Sequence, residues 1–129
     1  MSLKHTITTT VRSDAGSGLS DNLVITGDAE VNCNDVATAG TTREIDVAVD
    51  VSQIASFYIE SDQDITVETN SHSTPVQTFT LTAKRALMWN NTRPDTNPLT
   101  TDVTKLFFNN SLGDTDANVK AGFLLNVGS

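Results

Sequence analysis

The chain has 129 residues, which corresponds to one domain with a single hydrophobic core. Its net charge is −8 and its 8 basic residues are scattered, so we expect neither nucleic acid nor an anionic membrane as a partner. The single cysteine, Cys33, excludes an intramolecular disulfide, and the lack of an apolar signal segment predicts synthesis in a reducing compartment.

The first third of the chain predicts two strands and two loops. Leu3, Ile7 and Val11 fall on one side of an alternating segment, which indicates a strand over residues 3–12. Residues 13–22 contain two glycines and predict a turn, so residues 1–22 form a candidate flexible N-terminal arm. A second strand is predicted over residues 23–31 with a kink at Gly27, followed by a polar loop over residues 32–42.

The clearest strand pattern covers residues 44–51. Its apolar side chains alternate with acidic or small ones, which is the period of a strand with one buried face. The apolar positions are Ile45, Val47, Val49 and Val51, and the others are Glu44, Asp46, Ala48 and Asp50. A short helical or turn-like bridge is predicted at residues 52–55.

The remaining elements are short and separated by polar turns. Residues 57–59 and 65–67 are predicted to form a hairpin across an acidic turn. The further strands are predicted at residues 76–83, 86–89, 103–108 and 119–127. Residues 90–101 contain two of the three prolines, which excludes regular structure there.

About nine short strands at spacings of roughly 10–14 residues are typical of an antiparallel β-sandwich or barrel. No helical pattern alternates with them, which argues against a parallel α/β sheet. We therefore predict an all-β fold, with residues 1–129 as one β-sandwich domain. The pattern alone does not choose between immunoglobulin-like and jelly-roll topology.

No group of residues predicts catalysis, a cofactor or a metal. The segment Asp114-Thr-Asp116-Ala-Asn118 imitates the start of a calcium loop, but Val119 and Leu125 stand where the loop needs glycine and glutamate. Neither histidine has a zinc-ligand spacing with Cys33. No nucleophile motif or phosphate loop is present in the sequence. We expect no catalytic residue, no cofactor, no metal and no enzymatic activity.

Three aromatic residues are candidate interface residues. Phe107 is adjacent to Phe108, and Tyr58 lies between Phe57 and Ile59, yet neighbours on a strand point to opposite faces. Either these strands lie between two packed layers, or their second faces contact a partner chain. Trp89 precedes the proline-rich segment, where it is a contact anchor or a plug at the end of the sandwich.

Three blocks of the sequence resemble decoration (cement) proteins of tailed-bacteriophage heads. The blocks are IDVAVDVSQIASFYIESDQDITVETN (residues 45–70), LTAKRALMWN (81–90) and NPLTTDVTKLFFNN (97–110). The resemblance implies a jelly-roll-like β-sandwich that binds the assembled major capsid protein, self-associates as a homotrimer and stabilises the shell. It also implies location on the capsid surface of the virion after synthesis in the cytoplasm of the bacterial host.

Two other functions remain open from the sequence. The first is a different virion position, such as tail tube, head completion or a fibre-associated module. The second is a carbohydrate-binding β-sandwich module, in which Trp89 and Tyr58 would stack on sugar rings. This second function requires the two aromatic side chains to be exposed and coplanar.

Overall fold

The computed structural model describes residues 3–128, and strands make up most of them. The ten strands are β1 (Leu3–Arg12), β2 (Gly18–Gly27), β3 (Ala29–Ala37), β4 (Thr42–Val49), β5 (Ile54–Ser61), β6 (Ile65–Thr69), β7 (Thr78–Leu81), β8 (Leu87–Asn90), β9 (Val103–Asn109) and β10 (Ala117–Leu125). A 3-10 helix at Val51–Gln53 connects β4 to β5. The predicted all-β class is confirmed.

Two four-stranded antiparallel sheets form the sandwich. Sheet 1 has the order β3-β10-β5-β8, and sheet 2 has the order β4-β9-β6-β7. The pairing is nested, because β6 pairs with β7, β5 with β8, β4 with β9 and β3 with β10. Eight strands wound in this way form a jelly roll, the topology that the alternation alone left open.

The main hydrophobic core lies between the two sheets. Phe57 and Phe123 of sheet 1 stack there with their ring centroids 5.8 Å apart, and Phe108 of sheet 2 is also fully buried. The predicted inward positions of β4 pack on the same core, and its acidic positions are exposed. At the end of β4, Asp50 accepts a hydrogen bond from the Ser52 backbone N–H and caps the 3-10 helix.

The predicted polar loop over residues 32–42 is wrong for its first half, which belongs to β3. β3 is an edge strand, and its asparagines lie on the outer face of the sheet while Val31 and Cys33 pack on the core. Asp35 of β3 pairs with Arg43 of β4 at 2.7 Å and links the neighbouring edges of the two sheets. Charged residues at an edge discourage pairing with another strand.

Two further predictions about strand limits are wrong. The strand predicted over residues 23–31 divides at Asp28, whose carboxylate accepts hydrogen bonds from the backbone N–H groups of Val127 and Gly128. Residues 57–59 and 65–67 do not form a hairpin, because β5 belongs to sheet 1 and β6 to sheet 2. The acidic turn between them therefore crosses from one sheet to the other.

A separate two-stranded ribbon, β1–β2, packs on the outer face of sheet 1. Its strands are antiparallel, with Leu3 opposite Gly27 at the base and Arg12 opposite Gly18 at the tip. Ile25 of the ribbon is buried against Ala55 and Leu124, and the ribbon's Leu3 and Ile7 pack on the same small cluster. The ribbon includes most of the predicted arm 1–22, of which residues 1 and 2 lie outside the described residues.

Candidate interaction surface

Tyr58 lies on the outer face of sheet 1 and is partly covered by the ribbon. It sits directly over Gly122, where an added Cβ would lie 2.5 Å from the tyrosine ring. The ring of His5, from β1, approaches it with centroids 5.8 Å apart. The second face of β5 at Tyr58 is therefore covered in part by the chain's own ribbon, without a partner chain.

His5 fixes the ribbon to sheet 1 through polar contacts. Its Nδ1 shares a 2.9 Å hydrogen bond with Ser56 Oγ, and its Nε2 lies 3.7 Å from a carboxylate oxygen of Glu30. Burial between the ribbon and sheet 1 lowers the pKa of His5 below its usual 6.5, while the negative charge of Glu30 acts in the opposite direction. The neutral imidazole is therefore the form that fits this junction.

The ribbon junction should make stability depend on pH. Because the pKa of His5 is lower in the folded state than the unfolded 6.5, the unfolded chain gains the proton first. We expect His5 to cost no stability above about pH 6.5 and to reduce it as pH falls through that value. Urea unfolding between pH 7.5 and pH 5.5 measures this change. His5→Gln should remove that part of the decline, and identical pH profiles of the two proteins would contradict the assignment.

Trp89 lies on the inner face of sheet 1. It is opposite Phe57 in the β5–β8 register, and it packs, half-buried, against the main core. Its indole Nε1–H donates a 2.9 Å hydrogen bond to the carbonyl of Asp95, which holds the proline-rich segment over the end of the sandwich. Of the two roles proposed for Trp89, this position favours the plug.

Replacement of Trp89 by alanine should lower the free energy of unfolding by about 1–3 kcal/mol, because a half-buried aromatic side chain leaves the edge of the core. Trp89→Phe should cost less, since it keeps most of the ring contacts and loses only the hydrogen bond to Asp95. Urea denaturation of both variants measures the two costs. A Trp89→Ala variant with unchanged stability would contradict the plug and favour Trp89 as a contact anchor.

Phe107 lies on the outer face of sheet 2 and is only 8% exposed. It is paired with Glu44 on one side and Glu68 on the other, and the ring of His72 stacks on it at 6.1 Å. His72 is held there by a 2.6 Å hydrogen bond to Glu68. The loop after β6 therefore covers this aromatic residue with the chain's own side chains.

The three predicted interface residues do not come together. Tyr58 lies on the outer face of sheet 1, Trp89 on its inner face and Phe107 on the outer face of sheet 2. Since Tyr58 and Trp89 point to opposite sides of one sheet, they cannot form a coplanar platform for a sugar ring. The geometry therefore gives the carbohydrate-binding alternative no support.

A surface that sequence analysis missed lies on the ribbon beyond sheet 1. Residues 8–24 are all exposed, so both faces of the distal ribbon meet solvent. Val11 and Leu19 are opposite each other and are 56% and 48% exposed; we call this pair the tip strip. The strip lies on the same face of the ribbon as Ile7, Leu23 and the apolar side chains buried at the base, and the polar pair Thr9 and Asp21 separates it from them. Pairing the alternation of residues 3–11 with that of 19–25 would have revealed it.

The ribbon also forms one wall of an open cleft, which we call the β8 cleft. Its volume is about 480 Å³. Its apolar lining is Ile7 and Leu23 from the ribbon and Met88 from β8, which is 39% exposed. The other lining residues are polar, and they come from the ribbon and from the end of β8 and the segment after it: Thr9, Asp21, Asn22, Asn90, Thr92 and Arg93. β8 is an edge strand of sheet 1, so the cleft lies beside a strand edge that has no partner in its sheet.

The described carboxylates act in local structure. Asp62 accepts two 2.8 Å hydrogen bonds from the backbone and side-chain N–H groups of Asn118, which lower its pKa. Among residues 3–128, no three His, Cys, Asp or Glu side chains lie close enough together to hold a metal ion. Burial raises the pKa of the Cys33 thiol, which weakens it as a nucleophile.

The chain was compared with known proteins by sequence and by structure. Within the described part of the chain, no helix is long and apolar enough to cross a bilayer. No protein-family model, curated protein sequence or solved structure gives a significant match to this chain.

Proposed function

We propose that this chain is a non-enzymatic structural protein that binds the assembled capsid of a tailed phage and stabilises it. Its partners would be the major capsid protein and further copies of itself, as a homotrimer. Its place would be the outer surface of the virion. The proposal combines the sequence resemblance with one observation on the fold, the projecting ribbon.

The exposed ribbon is the observation that carries the proposal. A two-stranded ribbon alone is marginally stable in water, and this one continues beyond the sheet that supports its base. It keeps large aliphatic side chains at its tip. A projecting element of this kind suits a protein that stiffens a shell, because stiffening requires contacts between neighbouring molecules.

The fold and the charge are consistent with this role without identifying it. Jelly rolls are common in viral capsid proteins, but they also occur in lectins and cupins, so the fold alone is an analogy. The net charge of −8 suits a position outside the shell, away from packaged DNA. Glu44 and Asp46 on the outer face of sheet 2 contact one cation, Lys105, and the carboxylate side chains of both remain largely exposed.

Sedimentation with purified shells tests the proposal. Shells should be assembled from the major capsid protein encoded nearest to this chain's gene, in unexpanded and expanded forms. We expect the protein to sediment with at least one form and to raise the temperature at which that shell disassembles. Absence from both pellets would overturn shell binding.

Localisation on whole particles separates the shell from other virion positions. A copy carrying a gold-binding tag should be seen over the head by negative-stain microscopy. Label confined to the tail, the neck or the fibres would replace shell decoration by one of the alternative virion roles.

A further inference from the structure

The tip strip and the β8 cleft are complementary but cannot meet within one molecule. The strip presents two aliphatic side chains, and the cleft has an apolar lining of Ile7, Leu23 and Met88. Val11 lies four residues beyond Ile7 on the same strand, which is about 13 Å in extended backbone. The ribbon would have to bend back on itself to fill its own cleft, so a strip that fills this cleft must belong to another molecule.

The charge distribution indicates what that molecule is. Lys4 and Arg12 balance Asp14 and Asp21, so residues 3–27 are neutral and the rest of the chain carries the whole net charge of −8. A basic partner would be attracted to the acidic sandwich rather than to the neutral ribbon. Two copies of this chain, in contrast, repel each other through their sandwiches, but a contact between tip and cleft carries no net charge. Arg12 balances Asp14 at the tip, and Arg93 balances Asp21 in the lining of the cleft.

We propose that the tip strip of one copy packs into the β8 cleft of a second copy. The proposal rests on the proposed function only in treating the ribbon as a contact element, since it requires no shell. Each copy then offers a strip on one side and a cleft on the other. Repetition of such a head-to-tail contact closes a ring when the rotation between neighbouring copies divides a full turn evenly. A rotation of one third of a turn would give a trimer.

Two variants and one control test the contact. The tip variant carries Val11→Thr and Leu19→Thr, which keep good strand formers at exposed positions. The cleft variant carries Met88→Thr. The control is Val24→Thr, because Val24 is 51% exposed on the opposite face of the same ribbon. Sedimentation velocity over a range of concentrations measures self-association, and circular dichroism checks that every variant is folded.

We expect the wild-type protein and the Val24→Thr control to associate equally. The tip variant and the cleft variant should each require a concentration at least about tenfold higher to associate. A mixture of the two should recover a dimer, because an intact strip on one molecule meets an intact cleft on the other. A strip-to-strip contact would instead leave the cleft variant unaffected.

Three results would overturn the proposal: a wild-type protein that stays monomeric, a folded tip variant that associates normally, or a mixture that gives no dimer. Shell sedimentation of the same variants separates this inference from the proposed function. Association through the strip without shell binding would leave the inference standing and remove the decoration role. Shell binding by a protein that stays monomeric would support the decoration role and remove the inference.

Discussion

Phe123→Ala is expected to lower the free energy of unfolding by about 3–5 kcal/mol. Phe123 is 0% exposed, it stacks on Phe57, and its strand β10 lies in the interior of sheet 1 between β3 and β5. Domains of this kind have a total stability of only about 5–15 kcal/mol, so the loss is a large share of it. Urea denaturation monitored by circular dichroism measures the loss from the transition midpoint.

A surface valine provides the control for Phe123. Val36→Ala, on edge strand β3, removes methyl groups from a side chain that is 41% exposed and should change stability by less than about 1 kcal/mol. An equal loss in the free energy of unfolding for Phe123→Ala and Val36→Ala would mean that Phe123 does not lie at the centre of the core.

Leu124→Ala should also destabilise the protein by about 2–5 kcal/mol, although Leu124 points away from the main core. Its side chain is 0% exposed because the ribbon covers it, through Ile25 with Leu3 and Ile7 around it. The same urea denaturation measures the change. In a sandwich without a third layer this position would be a surface leucine with almost no effect, so a cost below about 1 kcal/mol would show that the ribbon does not pack on sheet 1.

A double-mutant cycle identifies the ribbon as the cover of Leu124. Ile25→Ala combined with Leu124→Ala should be non-additive by about 0.5–3 kcal/mol, because the two side chains are in contact. Ile25→Ala combined with Phe123→Ala should be close to additive, since Ile25 and Phe123 belong to separate clusters on opposite faces of the sheet.

Local alternation was sufficient to predict the class of fold and most strands. The alternation over residues 44–51 correctly gave the faces of β4, since a half-buried strand must repeat every second residue. β1 and β9 were also found close to their true limits. Each of these strands has a distinctive pattern of its own that does not depend on which strand it pairs with.

Pairing between distant segments could not be predicted from the same patterns. Alternation says which residues share a face but not which strand lies beside which, so the hairpin of β5 with β6 was a plausible error. β3 was missed because its asparagines and aspartate resemble a loop. In the strand, Asn32 and Asn34 lie on the outer face, and Asp35 pairs with Arg43 of β4.

The candidate site was only partly predictable for the same reason. Neighbouring apolar residues at Tyr58 and Phe107 correctly indicated strands with two occupied faces. The covers, His5 and His72, come from other segments, and nothing near either aromatic residue in sequence points to them. The tip strip was missed because Asp21 and two glycines made residues 13–22 resemble a turn, although the second half of that segment belongs to β2.

The nested pairing of the jelly roll also sets the order in which the chain can mature during translation. Hairpin β6–β7 can close as soon as it leaves the ribosome, but β4 must wait for β9, and β3 must wait for β10, which is made last of the ten strands. Until then the apolar sides of both waiting strands stay open to water, and such delayed long-range closure is slow and prone to aggregation. We expect the net charge of −8 to oppose association between nascent copies during this interval.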